Sequence, residues 1–201
     1  MTTTVAIYVF PDVEVLDFAG PYQVFTTASR MFAKANPPPS VRFSVFTIAR
    51  EAGTVRARHG LGIAPDHTFA SHPPIDLLIV PGGVVTAELR HPAVSEWIRR
   101  TAASAKLTAS ICTGSFLLAQ AGLLEGRTTT THWEDVADLR GMFPSLTVLE
   151  TRRWIDEGTV VTSAGISAGI DMSLYLVQRL AGRELALGTA RQMDYDWQED
   201  A

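Results

Sequence analysis

Three short apolar runs, each stopped by a small or turn-forming residue, constrain this chain more than anything else in it. They are "TVAIYVF" (residues 4–10) before Pro11, "IDLLIV" (75–80) before Pro81-Gly82-Gly83, and "LTASI" (107–111) before Cys112. Each is too short for a helix and rich in branched residues, as a strand buried on both faces requires. Between and after them lie stretches with helix-like apolar spacing: Val15 to Lys34, "AELRHPAVSEWIRRTAASA", "TGSFLLAQAGLL", "EDVADLRGMF" and a final region from Ile166 to Met193. Strands alternating with helices predict an α/β sandwich with a largely parallel central sheet. Ligands of such sheets sit at the carboxyl ends of the strands, so the loops beginning at Pro11, Pro81 and Cys112 are expected to converge.

Local detail follows from the punctuation. Gly20-Pro21 predicts a break between a short helix or turn and a second helix, and "ANPPPS" (35–40) predicts a loop. "VRFSVFTIA" (41–49) reads as a strand, and "TVRARHGLGIAPDHTF" as two short strands around a glycine turn, forming a hairpin or edge extension. "LTVLE" and "RWIDEGTVVTSAG" are strand-like.

The chain has 201 residues, enough for one substantial core, so a single domain over 1–201 is expected. A formal net charge of -4 gives no electrostatic footprint for nucleic acid, which leaves a small molecule or a protein as partner. The N-terminus lacks the basic and long apolar regions of a signal peptide, and the one cysteine cannot form an internal disulfide. A cytoplasmic location is therefore expected. No apolar run approaches the roughly 18 residues of a membrane helix, so no membrane association is expected either.

Cys112 is either a small buried hydrophobe or a nucleophile. At a strand-to-helix turn it would occupy a nucleophile elbow, with the next helix aiming its N-terminal N–H groups at sulfur and favouring thiolate. Thr113 N–H could then help bind developing negative charge, and Gly82 and Gly83 could present backbone amides to a reacting atom. Asp17, between Leu16 and Phe18, is either a helix cap or a carboxyl group kept protonated by apolar surroundings. His132 in "TTTTHW" is either packed beside Trp133 or paired with the cysteine. His59, His67, His72 and His91 show no metal-ligand spacing with one another or with Cys112, so no metal is assigned.

The blocks "FPDVEVLDFAGPYQVF", "IDLLIVPGG", "SICTGSFLLAQAGLLEGRTTTTHW" and "VVTSAGISAGIDMSLYLV" closely resemble the ThiJ/PfpI superfamily, and within it the isocyanide (isonitrile) hydratases. The resemblance runs from about residue 4 to residue 195. The same blocks resemble the amidotransferase-like N-terminal domains of AraC-type transcription regulators. What the resemblance implies is a flavodoxin-like three-layer sandwich, a homodimer, and a reaction without a cofactor. It implies Cys112 as nucleophile, Asp17 as its acidic partner and Thr113 as a hydrogen-bonding neighbour. Gly82, Gly83, His132, Gly165 and Ile166 would border the substrate pocket, with Ile166 at the start of a helix able to shift near the cysteine. Two departures concern the substrate. Ser163-Ala164-Gly165-Ile166-Ser167 stands where the hydratases read Gly-Gly-Gly-Ile-Thr, and "TTASRMFAKANPPPS" is longer than expected.

The activity that the resemblance implies is hydration of an isocyanide to an N-formamide. The alternatives are a glyoxalase or deglycase using the same cysteine, glutamine amidotransfer through His132 and Glu134, and a non-catalytic ligand or redox sensor. The regulators carry a basic helix-turn-helix region after this domain, whereas the present sequence closes on acidic "DYDWQED", so direct DNA binding is not expected.

Overall fold

The computed structural model describes residues 1–34 and 41–199, so the loop expected over 35–40 lies outside the described residues. Its strands are β1 (Thr2–Tyr8), β2 (Arg42–Ala49), β3 (Val55–Arg56), β4 (Gly62–Ile63), β5 (His67–Thr68), β6 (Leu77–Val80), β7 (Leu107–Ile111), β8 (Thr128–Thr129), β9 (Thr147–Val148), β10 (Trp154–Asp156) and β11 (Val160–Ser163). Its helices are α1 (Val15–Lys34), α2 (Thr86–Leu89), α3 (Pro92–Ser104), α4 (Gly114–Gln120), α5 (Val136–Met142), α6 (Ala168–Ala181) and α7 (Arg183–Gln192).

Seven strands form one sheet in the order β10-β11-β7-β6-β1-β2-β5, parallel throughout except for the β10–β11 hairpin. The inner order β2-β1-β6-β7-β11 is the 2-1-3-4-5 order of a flavodoxin-like sheet. Helices α1, α6 and α7 pack on one another, and α2, α3 and α4 form a separate group, giving the three-layer sandwich. The apolar runs occupy the centre: Val5 to Phe10, Leu77 to Val80 and Leu107 to Ile111 are all buried. Burial on both faces explains why β1 and β6 show no apolar–polar alternation, and in β7 even the alternating Thr108 and Ser110 are buried.

One element differs from the sequence-based expectation. Gly20-Pro21 does not divide the chain; α1 continues through Pro21 to Lys34. Proline leaves the Asp17 carbonyl without its i+4 donor, a defect of about 3 kcal/mol in a helix interior. Phe18, Val24, Phe25 and Ala28 are buried along the same helix. At about 1.5–3 kcal/mol for each large side chain, that burial outweighs the defect. Gly20 contributes to the packing, because a Cβ there would stand 2.9 Å from Ile170 Cγ1 of α6.

The switch in strand order lies between β1 and β6, where connections leave for opposite faces and a crevice opens. The two loops that border it are laced together. Glu14 N–H donates to Gly82 O (2.9 Å), Val84 N–H donates to Asp12 O (3.1 Å), and Val13 and Gly83 form an isolated antiparallel bridge. Gly83 has φ +135, and a Cβ there would overlap the Asp12 carbonyl, so this lacing requires glycine. The segment "TVRARHGLGIAPDHTF" supplies both of its expected roles, with the β3–β4 hairpin standing over the crevice and β5 extending the sheet edge.

Candidate active site

Cys112 follows β7 directly and precedes α4, at φ 55. A non-glycine residue in the left-handed region is strained by about 1–3 kcal/mol and persists only where its surroundings fix it. Here they do. Cys112 N–H donates to Ser163 O (3.1 Å), while its carbonyl accepts from Ser115 Oγ (3.1 Å) and Thr131 Oγ1 (3.0 Å). Gly114 lets the elbow press against β6, since a Cβ there would overlap the Val80 carbonyl. Gly114→Ala is expected to lower the unfolding free energy by about 1–3 kcal/mol, read as an earlier urea midpoint with an unchanged slope.

Asp17 lies in the first turn of α1, yet its carboxylate does not cap that helix. It is fully buried, and Oδ2 accepts the Gly82 N–H at 3.0 Å from the loop after β6. Oδ1 is buried with no hydrogen-bond partner. Burial raises the Asp17 pKa to about 7, against the lowering effect of the Gly82 N–H; Glu14 adds to the rise, and the Cys112 thiol and Arg58 partly offset it. The carboxyl group thus titrates near neutrality beside the sulfur.

The expected stabilisation of a Cys112 thiolate is not what the resting site provides. Burial first, and the Asp17 charge second, push the thiol well above its ordinary value, outweighing the Thr113 N–H and hydroxyl that favour thiolate. The backbone amides of the glycines also differ from expectation. Gly82 N–H is taken by Asp17, and Gly83 N–H by Thr113 Oγ1 (2.9 Å), which in turn donates to Gly83 O (2.8 Å). Neither is free to meet a reacting atom.

A cleft of about 190 Å³ opens over the sulfur, lined by Gly83, Cys112, Thr113, His132 and Ile166 together with Glu14, Arg58, Val84, Glu134 and Asp135. Asp17, Gly82 and Gly165 do not line it. Asp17 and Gly82 stand behind the cysteine, where a Cβ on Gly82 would lie 2.6 Å from Thr113 N. Gly165 lies under the His132 ring, which a Cβ there would overlap. His132 Nδ1 accepts from Glu134 N (3.4 Å) and faces Asp135 Oδ2 (3.4 Å), so its polar contacts run to its own turn rather than to Cys112.

Glu14 and Arg58 were not singled out from the sequence. They form an ion pair across the cleft mouth (3.1 Å), one from the loop after β1 and the other from the β3–β4 hairpin. Glu14 lies in "PDVEV", whose position after a buried strand was the available signal; Arg58 reaches the site only through the hairpin's fold. A wider cleft of about 560 Å³ shares Gly83, Val84, Thr113 and Asp135 with the first and continues past Val85, Leu89, Phe116 and Met142. Among the described residues no group of His, Cys, Asp and Glu is placed to hold a metal ion. Among the described residues no helix is long and apolar enough to cross a membrane.

A cysteine elbow with a buried acid at the switch point of a flavodoxin-like sheet defines a family. Residues 3–179 match the DJ-1/PfpI family, and the chain belongs to it. It is 33% identical over 97% of its length to an isonitrile hydratase of Pseudomonas putida, of which it covers 79%. It is 30% identical over 90% of its length to the HTH-type transcriptional regulator CdhR of Pseudomonas aeruginosa, and spans about half (52%) of that protein. Among solved structures, a ThiJ/PfpI family protein from Pseudomonas syringae superposes with a TM-score of 0.84 at 27% identity, covering 98% of this chain and 77% of that one.

Proposed function

We propose that this protein hydrates isocyanides to N-formamides, with Cys112 as nucleophile and Asp17 as the acid and base. The observation that carries this reading is the Asp17 carboxyl group: fully buried, titrating near pH 7, held through Oδ2 by Gly82, and interacting with the Cys112 thiol. A carboxyl group in that setting suits proton transfer at neutral pH. The likeness to the Pseudomonas putida hydratase supports the substrate class.

In the active form the pair carries one proton in total, and the Asp17 carboxylate takes it from the Cys112 thiol so that the sulfur attacks as thiolate. Sulfur adds to the terminal carbon of R–NC, and the same carbon takes the Asp17 proton, giving the thioimidate R–N=CH–S–Cys112. Asp17, now a carboxylate, removes a proton from water as the water oxygen bonds to that carbon, and returns a proton to nitrogen. The C–S bond then breaks with its electron pair returning to sulfur, and the remaining hydroxyl proton passes to Asp17. R–NH–CHO leaves, and the pair is restored. Thr113 N–H stabilises the sulfur whenever it is anionic. The substituent R would extend into the wider cleft past Val84 and Phe116.

The wild-type protein is expected to convert p-nitrophenyl isocyanide to the formamide, followed spectrophotometrically, and to act on methylglyoxal at least about 100-fold less efficiently. The reverse preference would assign it to the glyoxalases. A ligand-sensing role is favoured by the likeness to the regulator CdhR; tight binding of an isocyanide without turnover would select that reading.

A further inference from the structure

We infer that residues 195–198 form a strap that positions the Ile166 wall of the cysteine cleft, acting through Asp171 and Arg153. The need for one is visible in the wall itself. Ile166, 37% exposed, borders the cleft just before α6, and α6 begins without a side-chain cap at Ser167. Its opening hydrogen bonds are long i+3 contacts, Ala168 N–H to Gly165 O (3.4 Å) and Gly169 N–H to Ile166 O (3.2 Å). A helix start of this kind frays unless other groups hold it.

Three separate segments do so. Asp171, fully buried in the first turn of α6, accepts Arg153 Nε (2.9 Å) and Nη2 on Oδ2, and Gln198 N–H (3.0 Å) on Oδ1. Trp197 Nε1 donates to the Asp171 carbonyl at 3.1 Å, and Tyr195 hydroxyl reaches the Ser167 carbonyl at 3.5 Å. Arg153 also receives the wall directly, its carbonyl accepting Ala164 N–H at 2.8 Å. The strap thus binds Ser167 and Asp171, one and five residues after Ile166 in the chain. A buried carboxylate with an Arg fork on one oxygen and a backbone N–H on the other is satisfied only while all three segments are in place. Arg153, Asp171 and Trp197 are positioning residues: they hold the segments on either side of Ile166, not the reacting atoms.

Two variants of the full chain test this, Trp197→Ala, which removes an indole donor, and Gln198→Pro, which removes the amide donor to Asp171. In each, hydrogen exchange of the amides from 165 to 170 is expected to quicken roughly 10-fold, with the exchange of β1, β6 and β7 unchanged. Alkylation of Cys112 by a bulky maleimide should accelerate in parallel. Arg153→Lys, which keeps the charge but not the fork, should fall between these variants and wild type. The kinetic arm rests on the isocyanide reading: KM for p-nitrophenyl isocyanide should rise about 3-fold or more with a smaller change in kcat. Unchanged exchange and alkylation in both variants would overturn the strap. Faster exchange and alkylation in a protein that turns over no isocyanide would keep the strap and remove the proposed activity.

Discussion

Replacing Cys112 with alanine is expected to reduce isocyanide turnover by about 10³-fold or more, to the level of the uncatalysed reaction, because no other group in the cleft can form the thioimidate. The fold should survive, since the substitution removes only one sulfur atom, but alanine leaves Asp17 facing a gap. Cys112→Ser is the closer match in shape and is expected to be equally inactive, a hydroxyl being far harder to ionise than a thiol. Mass spectrometry supplies a second measurement. Wild-type protein quenched in acid during turnover should carry the mass of one isocyanide plus the protein, and neither variant should. A variant at wild-type rate would remove the covalent mechanism altogether.

Asp17→Asn should lower the rate by about 10²–10⁴-fold, the usual span for losing a general acid and base, and its effect on stability has the opposite sign. In the folded protein the carboxyl group has a pKa raised from 3.8 to about 7 by burial. The folded state therefore binds this proton more tightly than the unfolded state, and the group's contribution is greatest below pH 3.8. It declines as pH rises from there to about 7, and is level above. The shift corresponds to roughly 4 kcal/mol at most, at 1.36 kcal/mol per unit. Asparagine can keep the Gly82 N–H bond without acquiring a charge. The variant is thus expected to melt higher than wild type at pH 8, with the difference shrinking as pH falls towards 4. The same titration sets the wild-type pH profile: kcat/KM should rise with pH and reach half its maximum near pH 7, as the pair loses the first of its two protons. A melting difference independent of pH would show that Asp17 does not titrate in this range.

How far the sequence can be read depends on whether a signal is local. The three buried strands were legible because each is a run of apolar residues closed by its own breaker, and their convergence follows from the general rule for parallel sheets. The continuity of α1 through Pro21 was not legible, because what overrides the proline is burial of Phe18, Val24 and Phe25 against partners distant in sequence. The positions of Cys112 and Asp17 could be guessed from neighbours along the chain. The protonation of their pair could not, since it depends on how deeply the fold buries Asp17 and on the opposing N–H of Gly82, 65 residues away in the chain. Arg58 escaped for the same reason: nothing in "VRARHG" says that the hairpin folds over the cleft mouth rather than into solvent. The strap from Trp197 and Gln198 is the extreme case, an acidic-looking tail whose backbone and indole, rather than its charges, make the contacts.

The closed hydrogen bonds of Gly82 and Gly83 bear on which electrophiles this elbow can serve. An ester or amide attacked by sulfur becomes a tetrahedral alkoxide, and enzymes that cleave such bonds keep two or more N–H groups waiting for that oxygen, each worth about 10²–10³ in rate. In this protein the Gly82 and Gly83 amides hold the acid and the threonine in place instead. Attack on the end of a linear R–NC group creates no alkoxide; its charge resides on carbon and is quenched by a proton. A nucleophile left with the Thr113 N–H alone, where two or more free donors are needed, is thereby biased against acyl transfer and towards electrophiles that need protonation rather than anion binding.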